Sequence, residues 1–302
     1  NSVFTVTTAL TGAGGFTNAA NATLNIGGTS TITTLTATAN PNLVVYNSTT
    51  AAQTIKGTTY HNLTIDKTGQ IGTLGAATTV NNNLTVTNGT LADGGFILTG
   101  NATGTFSVSA GATYTTTKTT TPWFPTAFTS GNISLANTST FNYAGTSAHS
   151  IPTTPITTYG ILGITGAVTK TLAAATTVYG IALNTSAGIL ADGGFQITGN
   201  AAGTITAVAG SGLTLGTTTV ATSFPTNFVN ANISFASTST VTYNSNLAQT
   251  ISNVPTYGAL TTSATGGVTK TLAGNTTLTG AFTNGANNTF DVAGFKIGRA
   301  HV

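Results

Sequence analysis

The chain has 302 residues, of which only 4% are charged and 39% are hydrophobic, and it contains no Cys, no Met and no Glu. An average soluble domain has about 25% charged residues, but the hydrophobic content is high enough to build a core, which argues against a disordered chain. The net charge of +3 comes from basic residues scattered singly, so no basic stripe indicates nucleic-acid binding, and no apolar run of about 20 residues predicts a membrane span.

The first 42 residues begin inside a strand-like pattern, with Thr5-Val6-Thr7 as an early example. We interpret residues 1–42 as the tail of a preceding repeat unit. No signal-peptide pattern opens the chain, so we expect that a leader has been removed or that the N-terminus is missing.

Short alternating segments follow, and they predict strands of about five residues separated by Gly, Asn and Asp turns. Three of them are Asn83–Thr87, Gly95–Thr99 and Thr105–Ser109. Apolar residues point to one side of such a strand, and Thr or Ser to the other. We therefore expect Leu84, Phe96 and Phe106 to share one core, and we find no helical period.

A long internal repeat organises these strands. The segment Leu91–Phe96 returns as Leu190–Phe195, and Phe124-Pro125-Thr126 returns 100 residues later as Phe224-Pro225-Thr226. Repetition at a fixed period indicates a repeat architecture. We predict one unit at residues 43–140, a second at 141–240 and a partial third at 241–296.

Two all-β architectures fit this pattern. One is a parallel β-solenoid (β-helix) built from these repeats of about 100 residues, and the other is a series of tandem immunoglobulin-like β-sandwiches, one for each unit. The period alone favours the sandwich. The short strands, the Gly-rich corners, the low charge and the replacement of Trp123 by Ser223 in the next unit favour the solenoid, which is our prediction.

Asp93, Asp192 and Asp291 are the acidic residues that recur with the repeat. Each is a candidate calcium ligand, but calcium takes six to eight oxygen ligands and each Asp stands alone in a Gly-rich turn. An Asx turn, in which the carboxylate accepts a hydrogen bond from its own backbone, is the favoured interpretation. His61 and His149 have no partners that indicate a metal site, so we predict no metal and no cofactor.

Three residues are candidates for ligand binding. The indole of Trp123, in a Pro-containing segment predicted to protrude as a loop, could stack on a sugar; the alternative is a hydrophobic plug over a corner. Lys170 and Lys270 could bind acidic glycans; the alternative is that each is a solvated lysine that guards a strand against edge pairing. No catalytic residue is predicted, because four Asp and no Glu are a thin supply for paired carboxylates.

The Thr-rich faces raise ice binding as an alternative function. Thr-x-Thr triplets occur at Thr31–Thr33, Thr85–Thr87 and Thr204–Thr206. An ice-binding face needs such residues in register on every coil, and along the sequence they look irregular. Thr also serves simply as a β-former.

One repeat cadence resembles a known family. Tyr243-Asn244, Ala248–Ile251, Thr256-Tyr257-Gly258 and Thr269–Thr277 follow in order, and matching segments occur around Tyr46 and Tyr159. From about Leu43 onward, the chain resembles the repeat region of large secreted, adhesin-like surface proteins of Bacteroidota.

The resemblance implies a β-helical exoprotein located outside the cell or on the bacterial surface. It implies a structural and adhesive repeat module, a stiff rod for attachment to surfaces or glycans, rather than an enzyme. The expected partners are glycans, other cell-surface components and neighbouring repeats of the same longer chain, with no nucleic acid. A glycan-active β-helix enzyme and an ice-binding β-solenoid are the alternatives.

The chain ends in a segment, residues 297–302, that departs clearly from the repeat from Gly298 onward. Ile297–Val302 match the translation of one reading frame of a common sequencing-library adapter, and the only Arg of the chain, Arg299, lies there. We predict that this segment is not native, as expected of a metagenomic fragment, and we assign no role to Arg299 or His301.

Overall fold

The computed structural model describes residues 2–263, 265, 267–286 and 288–299. The regular secondary structure of the described chain is almost entirely β-strand, with two single-turn 3-10 helices at Ser130–Asn132 and Asn230–Asn232. It divides into two compact units, residues 1–145 with 154–156, and residues 146–153 with 157–302. No helix in the described ranges is long and apolar enough to cross a membrane.

Unit 1 is a stack of coils whose strands pair in parallel with the strands of the next coil. Its strands are β1 (Val3–Val6), β2 (Ala9–Leu10), β3 (Gly15–Thr17), β4 (Thr23–Ile26), β5 (Thr29–Ser30), β6 (Thr34–Thr36), β7 (Leu43–Tyr46), β8 (Gln53–Ile55), β9 (Thr59–Tyr60), β10 (Asn62–Leu74), β11 (Thr78–Val80), β12 (Leu84–Ala92), β13 (Leu98–Thr99), β14 (Phe106–Val108), β15 (Thr113–Thr116), β16 (Ile133–Leu135) and β17 (Thr140–Tyr143). The main sheet of this unit runs in the order β1-β4-β7-β10-β12-β15-β17.

Unit 2 repeats this architecture. Its strands are β18 (His149–Ile151), β19 (Thr158–Ile164), β20 (Thr169–Leu172), β21 (Thr176–Leu183), β22 (Ile189–Ala191), β23 (Ile197–Thr198), β24 (Ile205–Ala207), β25 (Gly212–Leu215), β26 (Ile233–Phe235), β27 (Thr240–Tyr243), β28 (Gln249–Ile251), β29 (Thr256–Tyr257), β30 (Ala259–Thr262), β31 (Thr269–Leu272), β32 (Thr276–Leu278), β33 (Phe282–Asn284), β34 (Thr289–Asp291) and β35 (Ile297–Arg299). One sheet has the order β18-β20-β22-β25-β27-β30-β33, and two shorter ones are β28-β31-β34 and β29-β32-β35.

The core of each unit is a column of side chains that point inward from successive coils. In unit 1, Leu24, Val44, Leu63, Leu84 and Phe106 lie side by side along the ladder and are fully buried. Alternation along each strand sends the neighbouring residues outward. The predicted parallel β-solenoid is therefore confirmed.

Phe96 does not belong to this core. The prediction that it joins Leu84 and Phe106 is wrong, because its side chain is 40% exposed. The residue follows the turn at Asp93 and precedes the short strand β13, so the alternation that places Leu84 inward does not continue through the turn.

The structural unit is the coil and not the 100-residue repeat. Val3 lies beside Thr23 and Leu63 beside Leu84, so one coil takes about 21 residues. The prediction of a solenoid whose unit is about 100 residues is wrong in this respect, and the predicted boundaries at 43, 141 and 241 remain predictions about the sequence repeat.

A long coil marks the sequence repeat. Thr113 lies beside Thr140 in unit 1, and Gly212 beside Thr240 in unit 2, so the coil between them is longer than its neighbours. Each long coil contains the Phe-Pro-Thr segment and a 3-10 helix. Its recurrence gives the sequence a period of several coils.

The alternative of tandem β-sandwiches is wrong. A sandwich of that type is made of antiparallel sheets, whereas the ladders between the described strands within each unit are parallel. The only antiparallel pairing in the described residues of unit 2 is an isolated bridge between Thr217 and Val220.

Candidate functional site

The repeated motif residues converge inside the coils, where a lysine ammonium group is enclosed by oxygen atoms. Strand β31 alternates Thr-Lys-Thr-Leu, so Lys270 points inward on the same side as Leu272, and it is fully buried. Its Nζ donates hydrogen bonds to the carbonyl oxygens of Ser245 at 2.6 Å and Leu247 at 3.0 Å, and to Gln249 Oε1 at 2.6 Å. We name this arrangement the lysine cage.

The glutamine of the cage is itself held on all sides. Gln249 lies beside Lys270 in the β28–β31 ladder, and its Oε1 also accepts a hydrogen bond from the Ser245 amide at 3.0 Å. Its Nε2 donates to the carbonyl oxygens of Leu215 at 3.2 Å and Thr222 at 3.0 Å. The cage therefore ties a strand, the loop before it and the adjacent coils together through side-chain hydrogen bonds.

A second cage lies in unit 1 and takes its lysine from a different place. Lys67 Nζ donates to the carbonyl oxygens of Ser48 at 3.1 Å and Ala51 at 3.0 Å, and to Gln53 Oε1 at 2.7 Å. Here Gln53 lies beside Gly72, and Lys67 reaches it from an irregular stretch of β10 where the register with β12 shifts. The same cage thus forms without the Thr-Lys-Thr-Leu strand.

The third cage replaces glutamine by histidine. Lys170 Nζ donates to the carbonyl oxygen of Ser147 and lies 3.3 Å from His149 Nδ1, which is also 3.2 Å from the Ser147 carbonyl oxygen. Lys170 is fully buried and His149 is 9% exposed. His149 lies beside Lys170 in the β18–β20 ladder, as Gln249 lies beside Lys270.

Burial changes the protonation of these groups. Burial penalises a charged group, and it lowers the pKa of Lys67, Lys170 and Lys270 from 10.5 to about 8. Burial, and then the charge of Lys170, lower the pKa of His149 from 6.5 to about 4. His149 is therefore neutral at pH 7.

The cages overturn part of the sequence analysis. Lys170 and Lys270 were expected to be either glycan ligands or solvated guards of a strand edge. The solvated-guard interpretation is wrong, because both side chains are fully buried. Their ammonium groups bond inside the coils, and glycan binding at these two lysines stays a prediction.

A pair of buried tyrosines accompanies the cage in both units. Tyr243 and Tyr257 place their hydroxyls 2.9 Å apart; the Ser252 amide donates to Tyr243 Oη at 3.0 Å, and Tyr257 donates to the Ser252 carbonyl oxygen at 2.7 Å. In unit 1, the hydroxyls of Tyr46 and Tyr60 form the same pair of hydrogen bonds with the backbone amide and carbonyl oxygen of Lys56. Burial raises the pKa of all four phenols.

The recurring aspartates form Asx turns, as favoured from the sequence. The Asp93, Asp192 and Asp291 carboxylates each accept a hydrogen bond from the amide two residues later, at 2.8 to 2.9 Å. Asp93 and Asp192 also accept amide hydrogen bonds from the next coil, donated by Thr117 and Gly216. The described residues hold no cluster of three His, Cys, Asp or Glu side chains suited to a metal ion.

The Phe-Pro-Thr segments pack against the core and do not protrude. Phe124 stacks on Phe141 with ring centroids 4.7 Å apart, and Phe128 stacks on Phe106 at 5.7 Å. The predicted protruding loop is wrong for these phenylalanines, which act as a hydrophobic plug. Trp123 beside them is half-buried, and its proposed stacking on a sugar remains a prediction.

A groove with a volume of about 320 Å³ lies beside the plug of unit 2. Its walls carry hydroxyl, amide and apolar groups but no charged side chain: Ser223, Phe224, Pro225, Thr226, Asn227, Phe228, Thr250, Ser252, Val254 and Ala273. Such a lining offers hydrogen bonds but no general acid or base.

Comparison with protein-family models, with curated proteins and with solved structures found no match to this chain. The structural assignment of the motif residues therefore rests on their own contacts.

Sequence reasoning missed the cages for an identifiable reason. It treated lysine on a β-strand as an outward residue, although the alternation in Thr269–Leu272 already placed Lys270 on the apolar side. The spacing between Gln249 and Lys270, about one coil, was the signal that pairs them across a ladder. No such signal existed for Lys67, which reaches Gln53 through a strand irregularity.

Proposed function

We propose that the chain is a non-enzymatic structural and adhesive repeat module of a secreted or cell-surface bacterial protein. The stacked coils provide a stiff support, and their outward faces attach to surfaces or glycans. One observation carries the proposal: the recurring Tyr, Gln and Lys residues form interior hydrogen bonds that join successive coils. A sequence repeat selected for a reaction would place reactive side chains in a cleft, whereas this one reinforces the stack.

The similarity to the adhesin-like repeats of Bacteroidota supports the same function. The residues that carry that resemblance, around Tyr243, Gln249, Tyr257 and Lys270, are the ones that build the cage and the tyrosine pair. We therefore infer that the cadence encodes a stable coil stack, and that attachment is a property of the outward side chains between these positions.

Retention on immobilised surface polysaccharides tests this proposal. The intact chain should be retained on some of them, without releasing new reducing ends or unsaturated sugars. Thr214→Lys and Thr242→Lys, which change adjacent outward positions on β25 and β27, serve as surface variants. Release of sugar products would assign an enzyme instead, and absence of retention on every bacterial or host glycan would remove the adhesive part of the proposal.

Ice binding is a second candidate, because one specific observation favours it. Threonines that look irregular along the sequence are in register in the fold: Thr214, Thr242, Thr261 and Thr283 lie side by side on four consecutive strands of unit 2. A column of Thr59, Thr79, Thr99 and Thr126 does the same in unit 1. Neighbouring strands lie about 4.8 Å apart, so each column presents regularly spaced hydroxyl and methyl groups.

Thermal hysteresis measurements separate the two candidates. An ice-binding face should depress the freezing point below the melting point, and Thr242→Lys in the middle of the unit 2 column should abolish the effect while leaving the circular dichroism spectrum unchanged. Equal freezing and melting points for the wild-type chain would remove ice binding and leave the adhesive module.

A further inference from the structure

The three lysine cages differ in one side chain, and that difference is chemical. Gln53 and Gln249 offer a carboxamide oxygen that cannot be protonated at ordinary pH, whereas His149 offers an imidazole nitrogen. In all three cages, the side chain that faces the ammonium group belongs to a short strand of three residues, β8, β28 or β18. Only the His149 cage can gain a second positive charge.

Protonation of His149 is incompatible with the closed cage. Its Nδ1 lies 3.3 Å from the Lys170 ammonium nitrogen, so a proton there would place two cations in contact and turn the acceptor into a donor. The protonated ring would also compete with Lys170 for the Ser147 carbonyl oxygen, which both groups approach. The repulsion between protonated His149 and the Lys170 ammonium is relieved if one of the two side chains leaves the interior.

The charged groups of unit 2 near His149 lie on β20 and after β22. Lys170 on β20 faces His149 directly. Asp192 follows β22, the strand beyond β20, and its carboxylate already accepts hydrogen bonds from the Gly194 and Gly216 amides and the Thr222 hydroxyl. The segment from Thr146 to Pro152 contributes no other charged side chain.

We propose that His149 is an acid-sensitive latch for strand β18: uptake of a proton by His149 releases the Ser147–Ile151 segment from β20. β18 is the first strand of the seven-stranded sheet of unit 2, and it pairs with β20 through three residues. Its release exposes the edge of β20 and the Lys170 ammonium to water. An exposed strand edge is a site for pairing with another chain.

The lowered pKa of His149 fixes the direction and the range of the effect. The closed state has a pKa of about 4, and an open, hydrated histidine has 6.5. Between these values the open state binds one proton more than the closed state, so the opening equilibrium constant rises about ten-fold for each pH unit on acidification. Between pH 6.5 and about 8, where Lys170 begins to deprotonate in the closed state, it is constant.

Hydrogen exchange of the full chain between pH 7.5 and 4, corrected for the intrinsic pH dependence of amide exchange, tests the latch. In the wild-type protein, protection of β18 should fall about ten-fold for each pH unit below 6.5, while β28, whose cage contains Gln249, keeps its protection. The matched variant His149→Gln builds the cage of the other two sites and should keep β18 protected at pH 4.

A second variant tests whether the latch can be introduced at another cage. Gln249→His should transfer the acid-dependent opening to β28 without changing β18. The proposal is overturned if wild-type β18 is equally protected at pH 7 and pH 4, if His149→Gln opens in acid as the wild type does, or if β28 of folded Gln249→His remains closed at pH 4.

Discussion

Individual side chains in this chain act through their position on a strand more than through their chemical type. Lys270 illustrates this: a residue that is ordinarily exposed is fully buried, and three oxygen atoms replace its water. Buried charges persist when hydrogen bonds compensate the lost hydration. The three partners of the Lys270 ammonium are carbonyl and carboxamide oxygens, so the cage holds the cation without a carboxylate.

The first residue-scale prediction concerns the cage of unit 2. Lys270→Met keeps a long side chain but removes the donor to Ser245 O and Leu247 O and leaves Gln249 Oε1 with only the Ser245 amide. Because unsatisfied buried acceptors cost free energy, we expect the free energy of unfolding to fall by about 3 kcal/mol, measured by urea denaturation. The control is Lys296→Met, since Lys296 is exposed, and an equal loss in both variants would contradict the role of the cage.

A second prediction concerns the tyrosine pair. Tyr257→Phe removes the hydroxyl that donates to the Ser252 carbonyl oxygen and approaches Tyr243. We expect a loss of about 1–2 kcal/mol in the free energy of unfolding, with the ring packing retained. Tyr179→Phe, at a half-buried position, should change the stability by less than half as much.

Elements in this fold are short, and their register is set by neighbouring coils. Strands of two or three residues, such as β9 or β13, would not be stable alone; each exists because the coils before and after it supply partners. The long coils interrupt this regularity. In unit 1, Phe124 of the Phe-Pro-Thr segment and Phe128 just after it fill the resulting space.

The plug of the long coil gives an element-scale prediction. A Cβ atom on Gly100 would overlap the ring of Phe128, so Gly100→Ala forces the plug away from Phe106. We expect the free energy of unfolding to fall by about 1–3 kcal/mol, as for other overpacked cores. Gly131→Ala, where the added Cβ meets nothing, is the control; near-identical urea midpoints for the two variants would show that the plug is loosely packed.

At the scale of the whole molecule, stability is the sum of coil-to-coil contacts, so ionisable groups that recur in the coils act together. Lys67, Lys170 and Lys270 share a pKa of about 8 in the folded state, against 10.5 when hydrated. Between these values the unfolded chain binds more protons than the folded one, and stability therefore rises with pH.

The corresponding prediction is a stability maximum near pH 10. From pH 8 to about 10 the urea midpoint should increase as the three lysines deprotonate in the folded state. Above pH 10, burial raises the pKa of Tyr46, Tyr60, Tyr114, Tyr243 and Tyr257, so the unfolded chain ionises first and stability falls. A triple Lys→Met variant should lack the rise but keep the fall; a monotonic loss from pH 8 in the wild type would contradict the assignment.

The predicted non-native end, residues 297–302, lies only partly within the described residues. Ile297–Arg299 form β35 beside β32, and residues 300–302 lie outside the described ranges. The pairing of these three residues does not reveal their origin, because the hydrogen bonds of a strand ladder join backbone groups and form with many sequences. The adapter origin remains a prediction, which re-reading the nucleotide sequence would test.

The sequence by itself determined the class of the fold and the direction of most side chains. Composition disfavours α-helices, alternation in segments such as Leu84–Val86 sends apolar residues inward, and Asp-Gly-Gly favours the Asx turns. All of these are local effects of backbone geometry and side-chain size. Tertiary structure alone decided the coil length, the burial of Lys170 and Lys270, the exposure of Phe96 and the register of the threonine columns. These depend on which residue of the next coil lies alongside, and coils of unequal length separate that partner by a distance that no fixed period in the sequence reveals.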